Sequence, residues 1–249
     1  MTTHILLLSD IHGNYPALQA LTKKMGPSSF QLIINCGDSL VYAPFPNKTM
    51  EWLRQHRVIS ILGNTDKKVL KLLRGKTFKK PGKPDKRVMY TFTAEHLSKK
   101  NRKYLRNLEI SRILTISPPT DKPGQKTYTI GIFHGSPADP DEFLFDYTPD
   151  SRFLQLAQES PCDIIVTGHS HTPYCKTISD TTFINPGSVG RMFDQDPRAS
   201  CATLEISDNT VKVVHHRIRY KIKKTTAKIL EYNLPPIYNE MYKKGVKLN

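Results

Sequence analysis

Short apolar runs recur along the chain, and each stops abruptly at a polar residue. Ile5 to Leu8 gives way to Ser9-Asp10, Ile33-Ile34 leads to Asp38, and Ile59 to Leu62 leads to Asn64. Thr129 to Phe133 ends at His134, and Ile164 to Val166 is followed by Gly168-His169. Runs of this length, bounded by glycine and polar residues, predict buried strands. Between the first three runs the apolar period changes to that of a helix. Leu18, Leu21 and Met25 form one stripe over Tyr15 to Met25, Pro16 fits the first turn, and Gly26-Pro27 stops it. After the loop Pro44-Phe45-Pro46, Thr49 is expected to cap a short helix running to about His56. Strand, helix, strand, helix, strand over Ile5 to Leu62 predicts βαβ units with right-handed crossovers.

Beyond Leu62, Asp66 is expected to cap a helix over Lys67 to Arg74, and Lys79 to Pro84 reads as a loop. Thr93 is expected to open a second helix through about Leu108. Residues 75–110 read as a peripheral insert whose apolar surface is too small for its own core. Ile110 to Ile116 and Lys126 to Phe133 predict two strands about a Pro-rich turn, and Pro149-Asp150-Ser151 opens a helix to about Glu159. Then only strands follow: Tyr174 to Ile178, Thr182 to Ile184, Ala199 to Ile206 and Thr210 to Ile218, with Asp208-Asn209 as a hairpin turn signal. One domain over 1–220 is expected. Residues 221–249 read as a basic extension with one short helix, Pro235-Pro236 and a mobile polar end.

Charge changes this picture locally. The chain of 249 residues carries a formal net charge of +15. Residues 67–106 hold fifteen Lys and Arg against Asp85 and Glu95, and residues 212–249 hold ten against Glu231 and Glu240. The insert and tail are therefore basic, and the stretches carrying Asp10, Asp38 and the histidines are mildly acidic, as a cation site favours. The basic segments suit an anionic partner such as a nucleic acid or nucleotide; they suit a solubilising surface equally well. No apolar run approaches the roughly 20 residues of a membrane span. The N-terminus lacks a secretory h-region, and the four cysteines, Cys36, Cys162, Cys175 and Cys201, form no CxxC pair. A cytoplasmic protein with reduced thiols is expected.

Five strand ends each deliver an Asp, His or Asn. His169 and His171 lie two apart, as do Asp10 and His12, and such neighbours on an extended backbone face one side. Ligands in α/β sheets collect at the carboxyl ends of strands. A set of Asp, His and Asn without thiolate suits divalent ions such as Mn²⁺, Fe²⁺ or Zn²⁺. A shared carboxylate can bridge two ions roughly 3.5–4 Å apart, an arrangement that clamps phosphate and acidifies water.

Ser9 to Asn14, Gly37-Asp38, Gly63-Asn64, His134-Gly135 and Gly168 to His171 match, in order, the five blocks of the calcineurin-like metallophosphoesterase superfamily. Asn185 to Gly190, followed by Asp196 to Ser200, resembles its small bacterial and archaeal phosphodiesterase branch. The likeness runs from about Thr3 to Ile218. It implies an α/β fold, a four-layer α/β/β/α sandwich of two mixed β-sheets flanked by helices. It also implies two divalent metal ions, Mn²⁺ first, with Fe²⁺, Zn²⁺, Ni²⁺ or Co²⁺ also fitting. Asp10, His12 and His171 would hold the first, Asn64, His134 and His169 the second, and Asp38 would bridge.

Much of the superfamily has a histidine after the Gly-Asn pair, acting on the transition state and leaving group. Here Thr65 stands in that place, and a threonine is no general acid near neutral pH. Substrates with good leaving groups are therefore favoured. Asp66 either orients a metal-bound histidine or caps a helix. Asn14 and Arg191 are candidate phosphate contacts, with turn shaping and a surface role as their alternatives. The other histidines have no partner motif.

The resulting expectation is a dinuclear metal-dependent phosphoric ester hydrolase, favouring phosphodiesters, that uses a metal-bridging hydroxide for in-line attack on phosphorus. Alternatives are a phosphomonoesterase or protein phosphatase, a nucleotide polyphosphate hydrolase, a nuclease drawing on the basic segments, and a non-enzymatic protein-binding scaffold on the same fold.

Overall fold

A strand that is apolar at every position has to be covered on both faces. In the computed structural model, which describes residues 2–77, 81–118, 126–207 and 210–249, β1 (Thr3–Leu8) meets this condition. Ile5 and Leu7 point between two sheets, where Ile34, Ile130, Ile132, Ile164, Val166 and Leu204 meet them. Leu6 and Leu8 point the other way, onto Leu18 and Leu21 of α1 (Tyr15–Met25).

The chain continues through β2 (Leu32–Asn35), α2 (Pro46–Gln55), β3 (Ile59–Ser60), α3 (Asn64–Leu73), α4 (Pro84–His96) and α5 (Lys99–Arg106). Then come β4 (Arg112–Ile116), β5 (Tyr128–Ile132), α6 (Asp150–Glu159), β6 (Ile164–Val166), β7 (Tyr174–Ile178) and β8 (Thr181–Asn185). β9 (Ala199–Ile206), β10 (Val211–Ile218), α7 (Ile222–Glu231) and α8 (Ile237–Lys244) complete it. One sheet has the order β10-β9-β1-β2-β3 and the other β4-β5-β6-β8-β7. Both are mixed: β1 pairs parallel with β2 and antiparallel with β9, and β6 pairs parallel with β5 and β8, whereas β7 and β4 are antiparallel edges. Phe153 and Leu156 of α6 cover the outer face of the second sheet at Ile165 and Phe183. The remaining helices cover the first sheet, so the four-layer sandwich expected from the sequence is the fold.

Four local expectations change. α2 starts at Pro46, which occupies the first helical turn, where a missing N–H costs nothing, so Thr49 lies inside the helix. α3 starts at Asn64 behind Gly63, which makes Asp66 its third residue rather than its cap. The 75–110 segment forms two helices instead of a loop and one helix. Thr93 lies within α4, bonding Met89 O, and Ser98 caps α5. Met89, Tyr90, Phe92, Leu97 and Leu105 enter the same core as α1 and α2. The tail is ordered through α8, where Tyr238, Met241 and Tyr242, three and four residues apart, are buried in that core. Lys79-Lys80, the middle of the Pro-rich turn and Asp208-Asn209 lie outside the described residues. No helix among the described residues is long and apolar enough to cross a membrane.

Candidate metal centre

The loops that follow β1, β2, β3, β5 and β6 converge at one edge of the two sheets. Asp10, His12, Asp38, His169 and His171 all have positive φ, between 51° and 65°. Left-handed backbone is uncommon outside glycine, and it concentrates at functional sites that the surrounding structure holds in place. It also overturns the extended reading of residues 169 and 171. Their side chains diverge into two adjacent groups: Asp10, His12 and His171 in one, Asp38, His134 and His169 in the other. All six are buried.

In the first group, the Nε2 atoms of His12 and His171 lie 3.2 Å apart, and Asp10 Oδ1 lies 3.3 Å from His171 Nε2. The Nδ1 atoms of both rings face backbone carbonyls, those of Leu40 and Arg191. A carbonyl only accepts, so each ring turns an Nδ1–H to the backbone and its Nε2 toward Asp10 Oδ1. Burial pushes His12 down to about 3, against the raising effect of Asp38, so the ring is neutral. Two ring nitrogens and a carboxylate oxygen thus converge on one point. Asp10 Oδ1 is buried and has no hydrogen-bond partner, although Oδ2 accepts from Ser9 Oγ at 2.6 Å and His169 N at 3.0 Å. An orphaned buried carboxylate oxygen beside two imidazole nitrogens fits a cation.

In the second group, His134 Nε2 lies 3.0 Å from Asn64 Oδ1, 3.1 Å from His169 Nδ1 and 3.5 Å from Asp38 Oδ1. Burial works against a charge on His134, yet the Asp38 carboxylate overrides it and raises the ring to about 9. Burial, reinforced by the charge on His134, lowers His169 to about 4. Asp38 faces both groups: Oδ1 turns to His134, and Oδ2 lies 3.8 Å from His12 Nε2. Burial tends to raise the Asp38 carboxyl, but His134 holds it well below the usual carboxylate range. Burial likewise opposes the ionisation of Asp10, but His171 keeps that carboxyl at about 2.

The remaining candidates fall into different places. Thr65 N donates to Asp38 Oδ1 at 2.8 Å and Thr65 Oγ1 to Leu40 O at 3.2 Å, which fixes the turn carrying Asp38. Asp66 accepts from Ser39 N, Leu40 N and Gly63 N. Burial and Asp38 push Asp66 up to about 7 against those donors. It ties the Asp38 turn to the start of α3, and its hydrogen-bond partners among the described residues are backbone N–H groups. Asn14 is buried; it donates to Gly190 O and Tyr220 Oη and accepts from Thr225 Oγ1. Of the two roles open to Asn14, phosphate contact and turn shaping, these bonds carry the second.

Arg191 is not on the surface. It is 5% exposed, lines the cleft over the two groups, and stacks its guanidinium 3.9 Å above the Tyr42 ring. The Asn185–Gly190 stretch that precedes it acts as a stitch. Asn185 Nδ2 donates to Gly168 O, Ser188 Oγ donates to Asp10 O, and Val189 N donates to Ser9 O. Lys68, Lys86, Phe143 and Lys247 also line the cleft, which the sequence did not announce. They come from a helix face, the insert, a loop and the tail, and no motif links them.

A model of the calcineurin-like phosphoesterase superfamily domain matches residues 3–209. An uncharacterised protein of Methanocaldococcus jannaschii is 28% identical over 248 residues, covering 93% of each chain. The chain also resembles the crystal structure of a metallophosphoesterase from Sphaerobacter thermophilus, with a TM-score of 0.77, 26% identity, and 99% and 100% of the two chains covered. A hypothetical protein from Pyrococcus horikoshii shares the fold, with a TM-score of 0.83 at 21% identity over 98% of this chain and 99% of that one.

Proposed function

This chain belongs to the calcineurin-like phosphoesterase superfamily, and from that premise we propose that it hydrolyses phosphodiesters with two divalent metal ions, Mn²⁺ foremost. The observation that carries the reading is Asp38, one carboxylate facing two buried groups of candidate ligands at once. Asp10, His12 and His171 would hold one ion, and His134, His169 and Asn64 the other, with Asp38 common to both. Bound there, two such ions offset the charge of a phosphate and acidify water.

The chain's own residues set what the site accepts. Nitrogen and oxygen donors without thiolate suit Mn²⁺ and its neighbours. Arg191 supplies a fixed cation beside the phosphate. Thr65 occupies the position from which a proton would reach the leaving group, and its hydroxyl is already engaged with Leu40 O. Esters whose leaving group departs without a proton are therefore preferred over alkyl monoesters.

With Mn²⁺, kcat/KM for bis(p-nitrophenyl) phosphate is expected to exceed that for p-nitrophenyl phosphate, and excess chelator to abolish both reactions. Thr65→His should raise turnover of a methyl ester, whose alkoxide needs a proton, by about 10²-fold relative to the p-nitrophenyl ester. A preference for the monoester would overturn the diester reading.

A further inference from the structure

The loop between β5 and α6 carries aromatic residues at alternate positions, Phe143, Phe145 and Tyr147, with Leu144 and Asp146 between them. Leu144 turns inward and is buried with Phe153, Leu156 and Phe183. The aromatic side chains turn outward: Phe143 is 48% exposed and Tyr147 79%. Their rings form a row. Those of Phe143 and Phe145 are 7° from parallel with centres 6.2 Å apart, and those of Phe145 and Tyr147 are 5° from parallel at 4.9 Å. At the inner end Phe143 stacks on His169, with 4.0 Å between ring centres. The row thus starts on a candidate ligand of the metal centre and runs out to solvent.

This row is held in place. Phe145 N donates to Thr148 Oγ1 at 3.0 Å, and Thr148 N donates to Phe145 O at 3.0 Å, which closes the turn carrying Tyr147. Lys176 Nζ donates to Asp146 O at 3.1 Å and pairs with Asp150 at 2.6 Å. Ahead of the row, Arg152 grips both oxygens of Glu142, Nε to Oε1 at 2.8 Å and Nη2 to Oε2 at 2.9 Å. Shielding His169 from water accounts for Phe143 alone. It does not account for two further rings set parallel to it and further out. Aromatic rings left in water forgo the stabilisation of burial. A row already tied down offers its faces to a ligand with little further ordering cost. Parallel aromatic faces beside cations suit a planar ring that carries a phosphate: the ring stacks and the phosphate meets the cations. Lys68, Lys86, Arg191 and Lys247 line the same cleft as Phe143.

We propose that Phe143, Phe145 and Tyr147 form a stacking subsite that selects phosphodiesters carrying a planar aromatic ring on one of their alcohols. The inference rests on the phosphodiester reading of the site. It leaves the bond cleaved and the metal ligands as they are, and it adds the residues that set which diester is taken. Because Phe143 sits directly on His169, a ring stacked beside it keeps its phosphate within reach of the two ligand groups. Phe145 and Tyr147 continue the stack outward. The ring belongs either to an aryl group or to a nucleobase; both present the same π-face.

The test measures competitive inhibition of bis(p-nitrophenyl) phosphate cleavage by the Mn²⁺-loaded protein, with matched pairs of compounds that differ by a ring. Phenylphosphonate is set against methylphosphonate, and thymidylate against deoxyribose phosphate. In at least one pair the ring should lower Ki about tenfold, and the pair that shows it identifies the source of the ring. Phe143→Leu should bring that ratio to about one, and Phe143→Trp should keep it. Phe145→Leu, one ring further from His169, should lower the ratio about threefold. A wild-type ratio near one in both pairs, or a ratio that both leucine variants leave unchanged, overturns the stacking subsite while the phosphodiester reading stands. A protein that holds Mn²⁺ and cleaves no diester removes that reading and the subsite with it.

Discussion

Asp38→Ala is expected to abolish hydrolysis of phosphate esters while the fold persists. Asp38 turns Oδ1 toward His134 Nε2 at 3.5 Å and Oδ2 toward His12 Nε2 at 3.8 Å. The other carboxylate of the two groups, Asp10, turns Oδ1 to His171 and Oδ2 to Ser9 Oγ and the His169 backbone N–H. Its removal takes one negative charge from both groups together and leaves the Thr65 N–H without its acceptor. Losing a hydrogen-bond partner of a metal ligand costs about 10- to 100-fold, and losing the shared ligand costs more. Asp38→Asn separates the two effects. It keeps an oxygen for the Thr65 N–H and so preserves thermal stability, but it lacks the charge and is expected to be equally inactive. The check is the initial rate of p-nitrophenolate release beside a melting curve. Retention of a tenth of wild-type activity in either variant contradicts the assignment.

Gly190→Ala should unfold the seam that holds the site together. A Cβ at residue 190 would lie 1.8 Å from Ile11 O and 2.6 Å from Ile11 C, both backbone atoms. No rotamer relieves that contact. The two segments would have to part, at the expense of the bonds from Gly190 N to Asp10 O and from Ser188 Oγ to Asp10 O. Overpacking of this kind costs about 3 kcal/mol or more. For a chain of this size that lowers Tm by roughly 6–12 °C. Activity should fall further than stability, because Asp10, His12 and Arg191 all ride on these two segments. Gly82→Ala is the control: nothing lies near its Cβ position. A fall of less than about 2 °C for Gly190→Ala would mean that the segments move apart freely.

The candidate ligands were legible because each interrupts an apolar strand pattern with a polar residue at its carboxyl end. The backbone that aims them was not. Asp10, His12, Asp38, His169 and His171 adopt left-handed φ without a glycine at those positions to signal it. The rule for extended neighbours therefore placed His169 with His171, which the turn separates. Strands were recognisable down to a residue or two, since β7 and β9 are framed by clear breaks. α4 was hidden because its opening, Pro84-Asp85-Lys86-Arg87, continues a Lys- and Pro-rich stretch of sequence that reads as a loop, and α8 by its eight-residue length between Pro236 and Gly245. The cleft was least legible. Arg191 is caged by Tyr42, Tyr238 and Phe193, which approach it from a loop, the tail and its own strand of sequence. Such a cage has no local period or spacing. The basic charge of the insert and tail was visible, but its delivery of Lys86 and Lys247 to the same cleft was a matter of tertiary packing.

The most direct measurement is the number of divalent ions bound per chain, obtained by elemental analysis after loading with Mn²⁺ and exhaustive dialysis. Two ions per chain are expected, falling to one or none in His171→Ala and in Asp38→Ala. A wild-type protein that retains no Mn²⁺, or the same two ions in Asp38→Ala as in the wild type, would contradict the dinuclear centre.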